Sequence, residues 1–374
     1  MFSRIDFQTT DECNLNCAFC YSKTDVRRPY SREIADSAME FILKQPPLIS
    51  NRSGRRIVSW GWMGGEPLLY WPQMKEFMEQ WRAACPEVEF NFGMTSNMVL
   101  ATPEVQQWCR INGVSIQCSF DGCRAVQEIQ RGHFDEVEVN AKEFIRLNPR
   151  GGVRATITPD CAHLYPESVK YFVGLGFKAI SGVPASCDGW TEAAIERYGA
   201  AIRQITNWWI EEMMKGRFIY LWHFRRAFAA LWNPYRQKRR PCGAGTAMIG
   251  VDTAGNLWPC HRFCHAGMNE TFKLGNLEIG ITSNLPERIA AWDARGPYCA
   301  EACNECPAVN ACGGPCMYVA ASETGDLFQM SRRDWPFCQF NRLYWAEAMR
   351  AHAILNRRDC KTYLKQFGGH RCRR

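Results

Sequence analysis

Three cysteines near the start carry the first chemistry the chain offers: Cys13-Asn-Leu-Asn-Cys17-Ala-Phe-Cys20, a C-x3-C-x2-C run. Thiolates are soft metal ligands, and three of them can hold three corners of a [4Fe–4S] cluster while one iron keeps no protein ligand. Such an iron is open to a substrate or cosubstrate, like the open position of a catalytic zinc site. A structural zinc site with a remote fourth ligand is the alternative use of the same spacing. A second, larger constellation runs Cys242, Gly255-Asn-Leu-Trp-Pro-Cys260, Cys303-Asn-Glu-Cys306, Cys312, Cys316 and Cys338. Written as spacing it is C-x12-G-x4-C, then C-x2-C-x5-C-x3-C, then a last cysteine; a zinc ribbon is its bland reading.

The compartment decides whether such cysteines are staples or ligands. The chain has 20 cysteines in 374 residues, and its start, MFSRIDFQTTDEC, shows no basic-then-apolar signal segment. No stretch reaches the ~18 uninterrupted apolar residues of a membrane span. A cytoplasmic protein is expected, where thiols stay reduced and serve metals or catalysis. The formal net charge of +7 is spread out, and the tail Arg371 to Arg374 around Cys372 is the main basic cluster. Neither a membrane nor a nucleic-acid partner is indicated.

These groups need a scaffold. Strand patterns at 5–10, 57–61, 88–95, 114–120, 153–158 and 178–183 alternate with helical patterns at 31–44, 74–84, 103–111, 134–147 and 166–175. Repeated β-then-α segments predict an α/β fold, a partial (β/α)6 TIM-type barrel, with the site at the carboxyl ends of its strands. The predicted domains are the barrel at 1–188, a helical bridge at 189–240, a small Cys-rich iron–sulfur domain at 241–345, and a C-terminal helix with basic tail at 346–374. The Cys-rich stretch has little apolar periodicity, so metal must supply part of its cohesion.

The Cys13–Cys17–Cys20 run after the first strand resembles the signature of the radical S-adenosylmethionine (SAM) enzymes. That resemblance implies a cluster on these three cysteines and an open iron that chelates SAM. One electron then breaks the sulfonium C–S bond, and the 5′-deoxyadenosyl radical takes a substrate hydrogen. Gly64-Gly65-Glu66-Pro67 is similar to the family's GGEP motif, whose glycines admit the methionyl moiety and whose carboxylate holds its ammonium. Asn97, Ser119 in Ser-Phe-Asp-Gly, and Arg131 match further cofactor-binding places, with caps and turns as the alternative roles.

The second constellation resembles the seven-cysteine SPASM domain, which implies two auxiliary [4Fe–4S] clusters and three in all. Cys303, Cys306, Cys312 and Cys338 would ligate one, and Cys242, Cys260 and Cys316 three corners of the other. Residues 236–241 lack the extra cysteine of sulfatase-maturating enzymes, so Cys264, Cys299 or nothing completes that cluster. Those enzymes carry a basic aspartate directly after the place of Cys260. Here it is His261, which can also take a proton, or can simply be hydrogen-bonded beside a cluster. The similarity spans nearly the whole chain and is greatest to sulfatase-maturating enzymes and ribosomal-peptide maturases. It implies a peptide or protein substrate, oxidised or cross-linked at a side chain, and an electron donor such as flavodoxin or ferredoxin. Only twelve residues precede Cys13, so a leader would be bound by a separate protein or by the basic tail and barrel rim, unless the substrate is not a ribosomal peptide. A small-molecule radical SAM dehydrogenase or epimerase is the rival reading.

Overall fold

The computed structural model describes residues 2–186, 189–232, 242–265, 267–296, 301–314, 316–329 and 334–367. Cys299, proposed above as a possible ligand, Cys187 and the basic tail with Cys372 lie outside them. In chain order come β1 (Arg4–Gln8), α1 (Arg32–Lys44), β2 (Leu48–Ile49), β3 (Arg56–Met63), α2 (Trp71–Ala84), β4 (Val88–Ser96), α3 (Pro103–Ile111), β5 (Ser115–Ser119), α4 (Arg124–Gln130) and α5 (Phe134–Leu147). Then follow β6 (Gly152–Ile157), α6 (Tyr165–Gly174), β7 (Ala179–Pro184), α7 (Glu192–Met214), β8 (Tyr220–Leu221), α8 (Trp222–Trp232), β9 (Met248–Val251) and β10 (Asn256–Trp258). Shorter pieces close the chain around α9 (Leu285–Arg295), α10 (Glu301–Asn304), α11 (Val309–Cys312), α12 (Met317–Thr324) and α13 (Pro336–Arg357). All six strands expected from the sequence are present, each followed by a helix, in the α/β architecture of a partial TIM-type barrel.

Two compact units form: unit 1 from Met1–Ser119, Asp135–Leu147 and Cys242–Ala291, and unit 2 from Phe120–Phe134, Asn148–Pro241 and Trp292–Arg374. In unit 1, β1 pairs in parallel with β3 on one side and with β9 on the other, while β3–β4–β5 continue in parallel. Alternation sorts the faces. Ile5, Phe7, Val58, Trp60, Trp62, Phe92 and Met94 are buried, and Phe77 of α2 lies 5.0 and 5.1 Å from the Trp60 and Trp62 rings. Each such ring contributes roughly 1.5–3 kcal/mol by leaving water. Between these residues on the same strands, the opposite face carries Asp6, Gly61, Gly93 and Thr95. Helix α1 starts where the Ser31 side chain accepts from Ile34 N, and it buries Ala35, Ala38, Met39 and Ile42, a one-sided stripe.

In unit 2, β6–β7–β8 are parallel, and α7 begins at a Thr191 cap. Helices α7 and α13 meet through Tyr198 and Tyr344, whose hydroxyls lie 2.6 Å apart, and Phe340 packs on Trp190 and Tyr198. No helix among the described residues is long and apolar enough to cross a membrane.

Candidate functional site

The loop that leaves β1 carries Cys13, Cys17 and Cys20, and backbone bonds tie it down. Thr9 N donates to Met63 O (2.8 Å), Asp11 N to Arg28 O (3.0 Å), Gly65 N to Thr10 O (2.9 Å) and Glu66 N to Glu12 O (2.9 Å). The turn Gly64-Gly65 therefore lies against the cysteine loop. Gly64 has φ 121°, and a Cβ on Gly65 would collide with the Glu12 carbonyl. These glycines make room for the protein's own loop, which is a requirement the motif alone does not reveal.

Glu66 is 1% exposed, and its carboxylate accepts from Leu68 N (3.2 Å) and Asn97 N (2.8 Å). It thus caps the single turn Pro67–Tyr70, with Pro67 at that turn's first position, and fixes the end of β4. Asn97 in turn donates Nδ2 to Asn14 Oδ1 at 2.8 Å, and that nitrogen is 4.0 Å from Cys13 Sγ. Cys13 Sγ accepts from Leu15 N at 3.4 Å. Burial pushes the Cys13 thiol up to about 11, and the negative charges of Glu66, Cys17 and Cys20 push in the same direction. A buried thiol at Cys13, close to a carboxylate and two further cysteines, is costly to ionise unless a cation joins it, so the loop fits an iron–sulfur cluster as its partner. Ser119 ends β5 and is buried.

The hairpin β9–β10 brings the second cysteine segment to unit 1's sheet. Its turn is built on Asp252, which accepts from Ala254 N, Asn256 N, Asn256 Nδ2 and Trp258 Nε1, each at 2.9 Å. Cys260 follows β10 and is buried, and Cys242 is exposed. Cys264, also buried, turns its thiol to the Cys260 carbonyl at 3.6 Å. His261 Nδ1 lies 2.7 Å from Asp6 Oδ2, and Arg4 Nε donates to Asp6 Oδ1 at 2.9 Å. Burial raises the pKa of Asp6, but His261 and Arg4 outweigh it and hold the carboxyl below its ordinary value. Asp6 was not foreseen. Its one sequence signal is an acidic residue set between the apolar Ile5 and Phe7 of β1, which the structure buries fully.

Unit 2 holds the remaining groups. Arg131 pairs with Asp121, Nε to Oδ2 at 2.7 Å and Nη2 to Oδ1 at 3.2 Å, and Thr156 N donates to Asp121 Oδ1 at 2.8 Å. Cys303, Cys306, Cys312 and Cys338 gather here. Burial pushes Cys312 up to about 11 and Cys338 up to about 12, and the neighbouring thiols of the set add to both shifts. Arg226 opposes the rise at Cys312, and its guanidinium would collide with a Cβ on Gly313. Cys316 stands at the N-terminal edge of α12 in the same unit, its side chain making no capping bond. Four crowded thiols, two of them strongly raised, again match a cationic iron cluster better than free cysteines. Among the described residues no three His, Cys, Asp or Glu side chains converge as ligands of a single metal ion.

Residues 7–158 match the profile of the Radical SAM superfamily. An uncharacterised protein of Archaeoglobus fulgidus is 24% identical over 368 residues, covering 95% of this chain and 82% of its own. Among solved structures, anSMEcpe, an anaerobic sulfatase-maturating enzyme with bound AdoMet, superposes with a TM-score of 0.77 at 16% identity, covering 95% of each chain. Streptococcus suis SuiB bound to its precursor peptide SuiA gives 0.56 at 16% identity, covering 87% of this chain and 74% of that one. At these identities the structures show a shared fold.

Proposed function

We propose that this chain, which carries a radical SAM domain over residues 7–158, is an enzyme that takes hydrogen from a side chain of a peptide or protein and leaves it oxidised or cross-linked. The observation that carries the reading is the placement, within unit 1, of three crowded thiols beyond the end of β1 beside the Glu66–Asn97 pair, with Asp6 of that strand bonded to His261. The peptide-bound states of SuiB and anSMEcpe favour a peptide substrate.

Cys13, Cys17 and Cys20 are the ligands proposed for the SAM-binding [4Fe–4S] cluster. With SAM bound, that cluster would supply the single electron for reductive cleavage of SAM, and with it the means to take a hydrogen atom from the substrate. Gly64 to Pro67 and Asn97 line the cysteine loop and are proposed to orient SAM, with the Glu66 carboxylate as the partner of its ammonium. Cys303, Cys306, Cys312 and Cys338 are proposed to hold an auxiliary cluster in unit 2, and Cys242 and Cys260 to serve another. Asp6 accepts from His261 Nδ1, which fixes the tautomer that keeps a lone pair on Nε2. We assign Nε2 as the base that takes a proton from the substrate once its hydrogen atom is gone, with Asp6 stabilising the resulting imidazolium, while an auxiliary cluster would take the remaining electron. An electron donor such as flavodoxin or ferredoxin supplies reducing equivalents.

The test is anaerobic reconstitution followed by metal analysis and SAM cleavage. Roughly twelve irons and twelve sulfides per chain correspond to three clusters. Replacing Cys13, Cys17 and Cys20 together by Ala should remove about four irons and abolish SAM cleavage while the remaining absorbance near 400 nm persists. Retained cleavage in that variant refutes the assignment, and cleavage stimulated by a small metabolite and by no peptide refutes the substrate class.

A further inference from the structure

Two segments that follow one another in unit 1 grip the cysteine loop at both ends. Thr253, just after β9, donates its hydroxyl to Asp11 Oδ2 at 2.9 Å and receives Arg28 Nη1 at 3.4 Å. Thr10 Oγ1 closes the loop's base on Arg28 O at 2.8 Å. At the other end, Tyr21 directly follows Cys20. The Arg262 guanidinium lies over its ring, 4.9 Å from the centroid, and His265 meets the ring edge-on at 6.1 Å. Arg262 sits in the one-turn helix His261–Phe263, which is itself anchored by Phe263 N to Cys260 O and by His261 to Asp6. A long, flexible cation is thereby seated on the aromatic face of the residue that directly follows the last of the three cysteines.

An iron–sulfur cluster becomes more negative when it takes an electron. A fixed positive charge close by favours the reduced form, and net charge around a cluster is one of the determinants of its potential. Arginine stays charged at every pH the protein survives, so the effect does not depend on a proton. We infer that Arg262, seated on Tyr21, raises the reduction potential of the cluster held by Cys13, Cys17 and Cys20. The inference rests on the radical SAM reading of those cysteines.

The experiment is a reductive titration of the reconstituted full chain, followed by electron paramagnetic resonance on the signal that changes when SAM is added. That response separates this cluster from any auxiliary one. Arg262→Gln should shift the midpoint to more negative potential, on the order of a tenfold fall in the reduction equilibrium, which is about 59 mV for one electron. Arg262→Lys keeps a charge and should recover most of the shift. Tyr21→Leu keeps Arg262 but removes its seat, and an intermediate negative shift supports the role of the ring. If Arg262→Gln assembles too little iron to titrate, the Lys and Leu variants carry the test through the same ordering. A wild-type midpoint in Arg262→Gln at full iron content overturns the inference while leaving the radical SAM reading intact. Absence of any SAM-responsive signal in the unmodified protein overturns that reading and the inference with it.

Discussion

Arg131 offers a decisive perturbation, because its geometry assigns it a partner inside its own unit. Its side chain is 11% exposed and that of Asp121 is fully buried, and two nitrogens meet two carboxylate oxygens. Asp121 also takes Thr156 N, so the pair joins the residues after β5 to β6 within unit 2. Arg131→Ala leaves a buried carboxylate with one backbone donor. Breaking a buried ion pair costs about 3–5 kcal/mol, and the surviving Thr156 bond places this case near about 3 kcal/mol. For a unit of this size each kcal/mol moves the melting temperature by roughly 2–4 °C, so the expected drop is about 6–12 °C. Asp121→Asn keeps the acceptor for Thr156 and should cost less, about 1–2 kcal/mol. Combining Arg131→Gln with Asp121→Asn should cost well under the sum of the single changes, since each removes the same contact. Anaerobic calorimetry together with SAM binding by equilibrium dialysis reads both properties. Arg131→Ala melting with the wild type refutes the structural assignment. If SAM affinity collapses in that same variant, the guanidinium serves the cofactor.

Two further outcomes are expected. His223 on α8 is buried between Phe224 and Tyr344 (ring centroids 4.3 and 5.4 Å), and burial pushes its imidazole down to about 3. An unfolded histidine titrates near ~6.5, so below that pH the unfolded chain binds a proton the folded one refuses, and stability falls as pH drops from ~6.5 towards ~3. Between pH 7 and 5.5 the loss is about 1.3 kcal/mol, and His223→Leu should flatten that slope in urea titrations; equal slopes would show that His223 is not the cause. At Gly250, opposite Asp6 across β1–β9, an added Cβ would stand 2.6 Å from the Cys260 carbonyl carbon and 2.6 Å from Cys264 Sγ. Gly250→Ala should therefore cost about 1–3 kcal/mol, while unchanged melting would show that this turn can move without loss.

What was legible in the sequence is what periodicity encodes. The strands stand where alternation is strong, as in Ile57-Val-Ser-Trp-Gly-Trp, and the helices where apolar residues recur every three or four positions. Hairpin β9–β10 was not legible. Its first strand is four residues long and buried throughout, and its partner β1 lies more than 240 residues earlier, so no local pattern announces the pairing. Helix α8 was hidden in a Trp- and Arg-rich stretch whose aromatic residues pack in unit 2, with Phe228 stacked on Trp209 at 5.6 Å. The motif residues were legible by type but not by their bonds. Glu66 caps a turn, Gly65 gives way to a carbonyl, and Arg131 holds a carboxylate ten residues back. Such pairings depend on chain geometry, which spacing in one dimension does not contain.

The arrangement in unit 1 depends on a single five-residue strand. Strand β1 buries Ile5 and Phe7 against the aromatic cluster, and between them sends Asp6 to His261 from the opposite face. Beyond its last residue it releases the loop that carries three thiols. Because side chains alternate with period two, a one-residue slip of β1 against β3 or β9 would put Asp6 into the aromatic layer and an apolar residue beside His261. Burying an unpaired carboxylate among Trp60, Trp62 and Phe77 is costly, so the packing layer enforces the register that the chemistry needs. The same rows of backbone bonds that hold the core therefore fix the distance from His261 to Asp6, and place Tyr21 and Arg262 at the edge of the cysteine loop.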